Sequence, residues 1–85
     1  MYTVLYRKSA AKALLKMPRE LALRFKDAFR LVAENPKRRD LNVKALEGRS
    51  GYRLRIGDWR AIYQVEDERL VILVLDIGSR GDVYK

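Results

Sequence analysis

The stretch Tyr52-Arg53-Leu54-Arg55-Ile56-Gly57-Asp58-Trp59-Arg60-Ala61-Ile62-Tyr63-Gln64-Val65 decides how this chain folds. Residues 52–56 alternate strictly between an apolar or aromatic side chain and an arginine, the period of a half-buried strand. Gly57-Asp58 then forms a two-residue Gly-X loop, which suits a type II′ turn because glycine supplies the positive φ at its first position. A loop of that length leaves one register. Ile56 faces Trp59, Arg55 faces Arg60, Leu54 faces Ala61 and Tyr52 faces Tyr63. One face of the hairpin is then apolar (Tyr52, Leu54, Ile56, Trp59, Ala61, Tyr63) and is expected to meet the core, Trp59 included. Arg53, Arg55 and Arg60 project from the other.

Downstream, Glu66-Asp67-Glu68 reads as a turn. Leu70 to Ile77 is nearly all apolar, as in a central strand buried on both faces. Asp76 is its one charge, expected either to pair with a nearby arginine or to reach solvent at the strand end. Gly78-Ser79-Arg80-Gly81-Asp82-Val83-Tyr84-Lys85 follows, with room for a short last strand.

Upstream, Tyr2 to Tyr6 is a β-branched and aromatic run that predicts a first strand. Ser9 is positioned to cap a short helix reaching Leu15 or Lys16. Pro18 suits the first position of a second helix, and Leu21, Phe25, Ala28, Phe29 and Val32 make one continuous apolar stripe along it. Asn35-Pro36 ends it. Lys37-Arg38-Arg39 is a basic connector, readable as a phosphate-contacting loop or as exposed linker. Leu41, Val43 and Leu46 are expected to pack under the helices, and residues 47–51 form a loop. The order is β-α-α-β-β-β. With helices and strands segregated, the expected class is α+β, two N-terminal helices on one face of a small antiparallel sheet.

The 85 residues make a single domain, 1–85, with a modest core. Cysteine and histidine are absent. That removes disulfides, thiol nucleophiles, the usual general base and the soft metal ligands, so neither a metal nor a cofactor is expected. No apolar run approaches the roughly 20 residues that span a bilayer. The first charges follow the first apolar residues, unlike a secretory leader. The expectation is a cytoplasmic protein with no membrane partner. The net charge is +8, and it is uneven: residues 1–64 hold 16 basic and 6 acidic side chains, residues 65–85 hold 3 and 5. Such a surface suits a partner rich in phosphate or carboxylate.

Arg55 and Arg60 are direct cross-strand neighbours of like charge, an unfavourable relation that folding does not need. A polyanion would use it. Arg80 and Tyr84 can join the same patch from the C-terminal segment. Guanidinium groups hold phosphate bidentately and stabilise charge added in a transition state. Tyrosine stacks on bases or exchanges a proton. A metal-free cut would use the RNA 2′-hydroxyl as nucleophile and leave a cyclic phosphate. Arginine accepts protons poorly, so unaided turnover is expected to be weak, and a host that aligns the RNA would supply rate through orientation.

The hairpin over residues 52–63 resembles the signature hairpin of RelE-type toxins in the RelE/ParE superfamily. Ile77-Gly78-Ser79-Arg80-Gly81-Asp82-Val83-Tyr84 resembles their C-terminal motif, and Tyr6-Arg7-Lys8-Ser9-Ala10-Ala11-Lys12-Ala13-Leu14 and the Asn35-Pro36 break fit the same pattern. The resemblance implies the toxin of a toxin–antitoxin pair, which enters the ribosomal A site and cuts mRNA there without metal, and which a cognate antitoxin wraps and blocks. It implies paired basic positions at Arg53 and Arg55, a phosphate-holding arginine at Arg60, a leaving-group arginine at Arg80, and at Tyr84 a tyrosine that stacks on or activates the nucleotide. Some members carry lysine at the positions of Arg53 and Arg55, and many carry histidine or lysine at that of Ser79. Two other readings share the scaffold: a ParE-like toxin that binds DNA gyrase and cuts nothing, and a RelE-fold binding protein with weakened catalysis.

Overall fold

The computed structural model describes residues 1–79. Along it run β1 (Thr3–Tyr6), α1 (Lys8–Lys16), α2 (Arg19–Glu34), β2 (Val43–Ala45), β3 (Tyr52–Ile56), β4 (Trp59–Glu66) and β5 (Val71–Ser79). The strands form one sheet in the order β1-β5-β4-β3-β2. Two helices cover one face of it, giving the expected α+β class.

The β3–β4 hairpin has the register that its turn dictates, from Ile56 opposite Trp59 to Tyr52 opposite Tyr63. Gly57 has φ of +60° while Asp58 stays out of the left-handed region, the pattern of a type II′ turn. Apolar residues at alternate positions of β4 and β5 meet the helices. Phe25, Phe29 and Val32 of α2 and Leu14 of α1 bury against Leu54, Ala61, Tyr63, Ile72, Val74 and Ile77. Phe29 stands edge-on to Tyr63 at 5.3 Å and to Tyr6 at 6.0 Å, contacts each worth roughly 0.5–1.5 kcal/mol beyond the area they bury.

Three features differ from the sequence expectation. First, residues 43–45 pair with β3 as a short edge strand, Val43 with Leu54, Lys44 with Arg53 and Ala45 with Tyr52. Three residues are too few to show an alternation, and the edge of β3 organises them. Second, β1 runs parallel to its neighbour, Thr3 beside Val71 through Tyr6 beside Val74, so the sheet is mostly antiparallel with one parallel edge. Third, Ser9 is not a cap. The first helical residue is Lys8, the N-cap is Arg7, and no side chain caps that end. Pro18 similarly stands one residue outside α2 as its N-cap.

A bulge between β4 and β5 sets the shape of one sheet end. Ile62 pairs with Asp76 but Tyr63 pairs with Val74, which leaves Leu75 without an opposite number. A bulge adds a bend and extra twist. It falls just past the last β1 pairing, at Val74, where α1 takes over the open edge of β5. Arg7 N–H bonds to Val74 O at this point. β5 runs two residues past the expected end at Ile77, through Gly78 and Ser79. The suggested short last strand, Arg80 and Tyr84 lie outside the described residues. Among those described, no helix is long and apolar enough to cross a membrane.

Candidate nucleic-acid interface

The hairpin sorts its side chains by the strand period. Leu54 and Ala61 point into the core and are buried, so Arg53, Arg55 and Arg60 leave from the opposite face of the sheet. Arg55 faces Arg60 directly. The N–H of Arg55 bonds outward to Asn42 O on the far side of β3, so Arg55 and Arg60 form a pair without ladder hydrogen bonds between them. In such pairs the Cα atoms are only about 4.5 Å apart and the side chains run closest. Arg55 is steadied by Nε, which donates to Gly57 O at 3.0 Å. Arg60 is half-buried with its Nε closed off from solvent.

Sequence reasoning alone misses two residues of this face. Ile62 lies between the arginines in register, opposite Arg53, and is only 2 % exposed although it points away from the helices. It gives the charged face an apolar floor over which arginine stems can lie. Lys44 faces Arg53 on the other side, across β2 and β3, and its place on the face follows only from the pairing of β2 with β3.

Among the described residues, Arg30 pairs with Asp27 and Glu34, Arg38 with Asp40, and Arg69 with Glu66. These ion pairs lie away from Arg53, Arg55 and Lys44. Among the described residues no carboxylate lies within 4 Å of Arg53, Arg55 or Lys44. These three cations therefore offer concentrated positive charge to a phosphate, with no described acid closing on them.

Lys37, Arg38 and Arg39 are not brought to this face. They border a hollow with Val43, Ala45 and Tyr52, residues whose side chains share the helix-facing side with Leu54. Arg38 is further committed to the loop. Its Nε and Nη2 each donate to Asp40 at 2.6 Å, and Nη1 lies 3.5 Å from Leu31 O near the end of α2. That bidentate contact holds the Asp40 carboxyl below its ordinary range. Trp59 packs half-buried against the core. Asp76 Oδ1 accepts from Ser9 Oγ at 3.1 Å and from the Ile77 N–H at 3.0 Å, two partners outside the sequence expectation.

Known proteins place this geometry in a family. Residues 4–84 match the family described as the ParE toxin of type II toxin–antitoxin systems. Over 85 residues the chain is 29 % identical to a RelE-like toxin protein of Escherichia coli, covering 98 % of this chain and 90 % of that one. It is equally similar to the toxin RelG of Mycobacterium tuberculosis, at 29 % identity with 99 % and 97 % covered. The archaeal RelE in the RelE–RelB complex of Pyrococcus horikoshii superposes with a TM-score of 0.81 at 34 % identity, covering 96 % of this chain and 98 % of that one. The isolated RelE toxin of E. coli has the same fold, with a TM-score of 0.81 at 23 % identity over 99 % and 89 % of the two chains. The chain thus belongs to the ParE toxin family within the RelE/ParE superfamily, and is a toxin of a type II toxin–antitoxin system with the RelE-like fold.

Proposed function

We propose that this toxin is a metal-independent endoribonuclease that cuts mRNA in the ribosomal A site and so stops translation. The observation that supports this reading most is the direct opposition of Arg55 and Arg60, with Arg53 on the same face. Two guanidinium groups facing each other across a hairpin raise the energy of the protein alone. They lower that of a phosphate held between them, and more so when the phosphorus gains negative charge. The 2′-oxygen attacks phosphorus, the bond to the 5′-oxygen of the next nucleotide breaks, and a cyclic phosphate and a 5′-hydroxyl remain. Arg55 and Arg60 hold the phosphate being cut, and Arg53 stands beside it on the same face. Arg80 assists the departing oxygen, and Tyr84 stacks on or activates the nucleotide. The chain has no histidine to remove the 2′-proton, so the ribosome contributes by holding the RNA in line. Lys37 and Arg39 act as distant backbone contacts. The toxin works in the cytoplasm and is silenced by a cognate antitoxin, as the RelB partner in the archaeal complex suggests.

Primer extension on a defined mRNA tests this, with and without ribosomes programmed with an empty A site. A cut in the A-site codon that needs both the ribosome and Arg80 is the expected result. No cut with ribosomes present overturns it. The match to the ParE family supports a second reading, in which the same scaffold binds DNA gyrase and cuts nothing; loss of supercoiling activity without any mRNA cut would favour it.

A further inference from the structure

The charged face continues past the hairpin. Lys44 on β2 faces Arg53 on β3, one strand over and two residues along from the Arg55–Arg60 pair. The loop after β2 brings Arg49 to the same place, and Lys44, Arg49 and Arg53 together line an open hollow of about 420 Å³. We propose that these three residues form a second phosphate-binding subsite, which holds the backbone phosphate next to the one being cut on a single-stranded RNA. The identity of the strand rests on the endoribonuclease reading above; the subsite itself rests on the geometry of β2, β3 and the 46–51 loop.

Three observations carry it. Lys44 and Arg53 are a second like-charge cross-strand pair, so the sheet repeats an arrangement that costs the free protein stability. A lysine on a short edge strand can serve simply to discourage sheet-to-sheet pairing, but that role needs neither an arginine opposite nor a third cation above. Next, no carboxylate lies within 4 Å of Lys44, Arg49 or Arg53 among the described residues, although Arg38 and Arg69 in other turns are neutralised by Asp40 and Glu66. Glu47 also lines the hollow without closing on any of the three. Last, the loop that positions Arg49 is fixed rather than loose. Leu46 N–H bonds to Gly51 O at 3.0 Å, and Gly51, at φ of +116°, approaches Tyr63 O so closely that a Cβ would sit 3.0 Å from it. Successive outward residues of one strand, such as Arg53 and Arg55, stand roughly 6.6–6.8 Å apart. That separates two grips along a strand and matches neighbouring phosphates better than a single one.

The test is equilibrium binding of the full-length toxin to short single-stranded RNAs of unrelated sequence, followed by fluorescence anisotropy over a series of salt concentrations. Each phosphate contact on a single strand contributes about 0.7 to the slope of log affinity against log salt. In Lys44→Ala/Arg49→Ala the slope is expected to fall by about 0.7, the share of one phosphate, by the same amount for every sequence, because phosphate contacts read no bases. The charge-keeping variant Lys44→Arg/Arg49→Lys should retain the slope. Lys12→Ala/Lys26→Ala, which removes two exposed cations from the helices on the far face, should leave it unchanged. Glu47→Gln should tighten binding. An unchanged slope in the Lys44/Arg49 variant overturns the subsite, and so does an equal fall in the helix variant or no RNA binding by the parent toxin. Both exposed residues are removable without unfolding, which thermal melting of the variant checks. If the slope falls as expected but the parent cuts no mRNA on programmed ribosomes, the subsite stands and the nuclease reading fails. If the parent cuts and the slope does not move, the subsite alone fails.

Discussion

Ser9 Oγ lies 3.1 Å from the carbonyl oxygen of Leu75 and 3.1 Å from Asp76 Oδ1, 66 and 67 residues away in the chain. The contact ties the first turn of α1 to β5 at the bulge, where β1 no longer covers the strand edge. Ser9→Ala is expected to cost about 1 kcal/mol, the usual net worth of such a hydrogen bond, read as a lower denaturant midpoint. Asp76→Asn should cost less, because the retained oxygen still accepts from the Ser9 hydroxyl or the Ile77 N–H. A neutral Ser9→Ala would mean that apolar packing alone holds α1.

Leu70 is the one non-glycine residue with positive φ among those described, at +53°, and its side chain is half exposed at the β4–β5 turn. Left-handed backbone costs an L-residue roughly 1–2 kcal/mol, and glycine returns part of that through the freedom it adds to the unfolded chain. Leu70→Gly is expected to stabilise the toxin by about 0.5–1 kcal/mol without altering toxicity. Chemical denaturation and a growth assay check the two halves of this.

Arg55 faces Arg60 at the closest kind of cross-strand position. Arg55→Gln should therefore abolish growth arrest while the thermal midpoint holds or rises, since relieving a like-charge pair returns about 0.2–1 kcal/mol. A variant that melts early would move Arg55 from function to architecture. Arg60→Ala and Arg80→Ala are each expected to relieve toxicity with the fold intact, as judged by circular dichroism.

Burial pushes the phenols of Tyr6 and Tyr63 each to about 12, against about 10 in an unfolded chain. Above pH of about 10 the unfolded chain has released phenolic protons that the folded chain still binds, so stability falls as pH rises from there. Below that pH the contribution is complete. Tyr63→Phe should be less stable than the parent near neutrality, through lost packing, yet lose less stability between neutral and strongly alkaline pH. Denaturation curves on both sides of pH 10 measure this; an equal loss in parent and variant would remove Tyr63 from the alkaline transition.

The parts of the fold that local rules determine could be read from the residues. Gly57-Asp58 permits a single hairpin register, and that register alone puts Arg53, Arg55 and Arg60 on one face. The apolar stripe from Leu21 to Val32 likewise fixes which side of α2 is buried. What could not be read depends on neighbours distant in sequence. The strand Val43–Ala45 exists because β3 has an edge to pair with. Ser9 has the chemistry of a cap, but β5 offers its hydroxyl two acceptors. Lys37, Arg38 and Arg39 look like an extension of the arginine face when judged by charge, whereas the path of β2 puts them on the other side of the sheet and Asp40 occupies Arg38.

The pairing of β1 with β5 has a consequence for when the toxin exists as a folded molecule. Thr3–Tyr6 leaves the synthesising ribosome early, but its hydrogen-bonding partner at Val71–Val74 is made almost 70 residues later. The same late strand supplies Ile72, Val74 and Ile77, against which both helices pack. Contacts of such long sequence separation form late and slowly. The nascent chain can build its helices and its hairpin, but its sheet stays open until β5 emerges, and the arginine face is assembled on a finished scaffold only then.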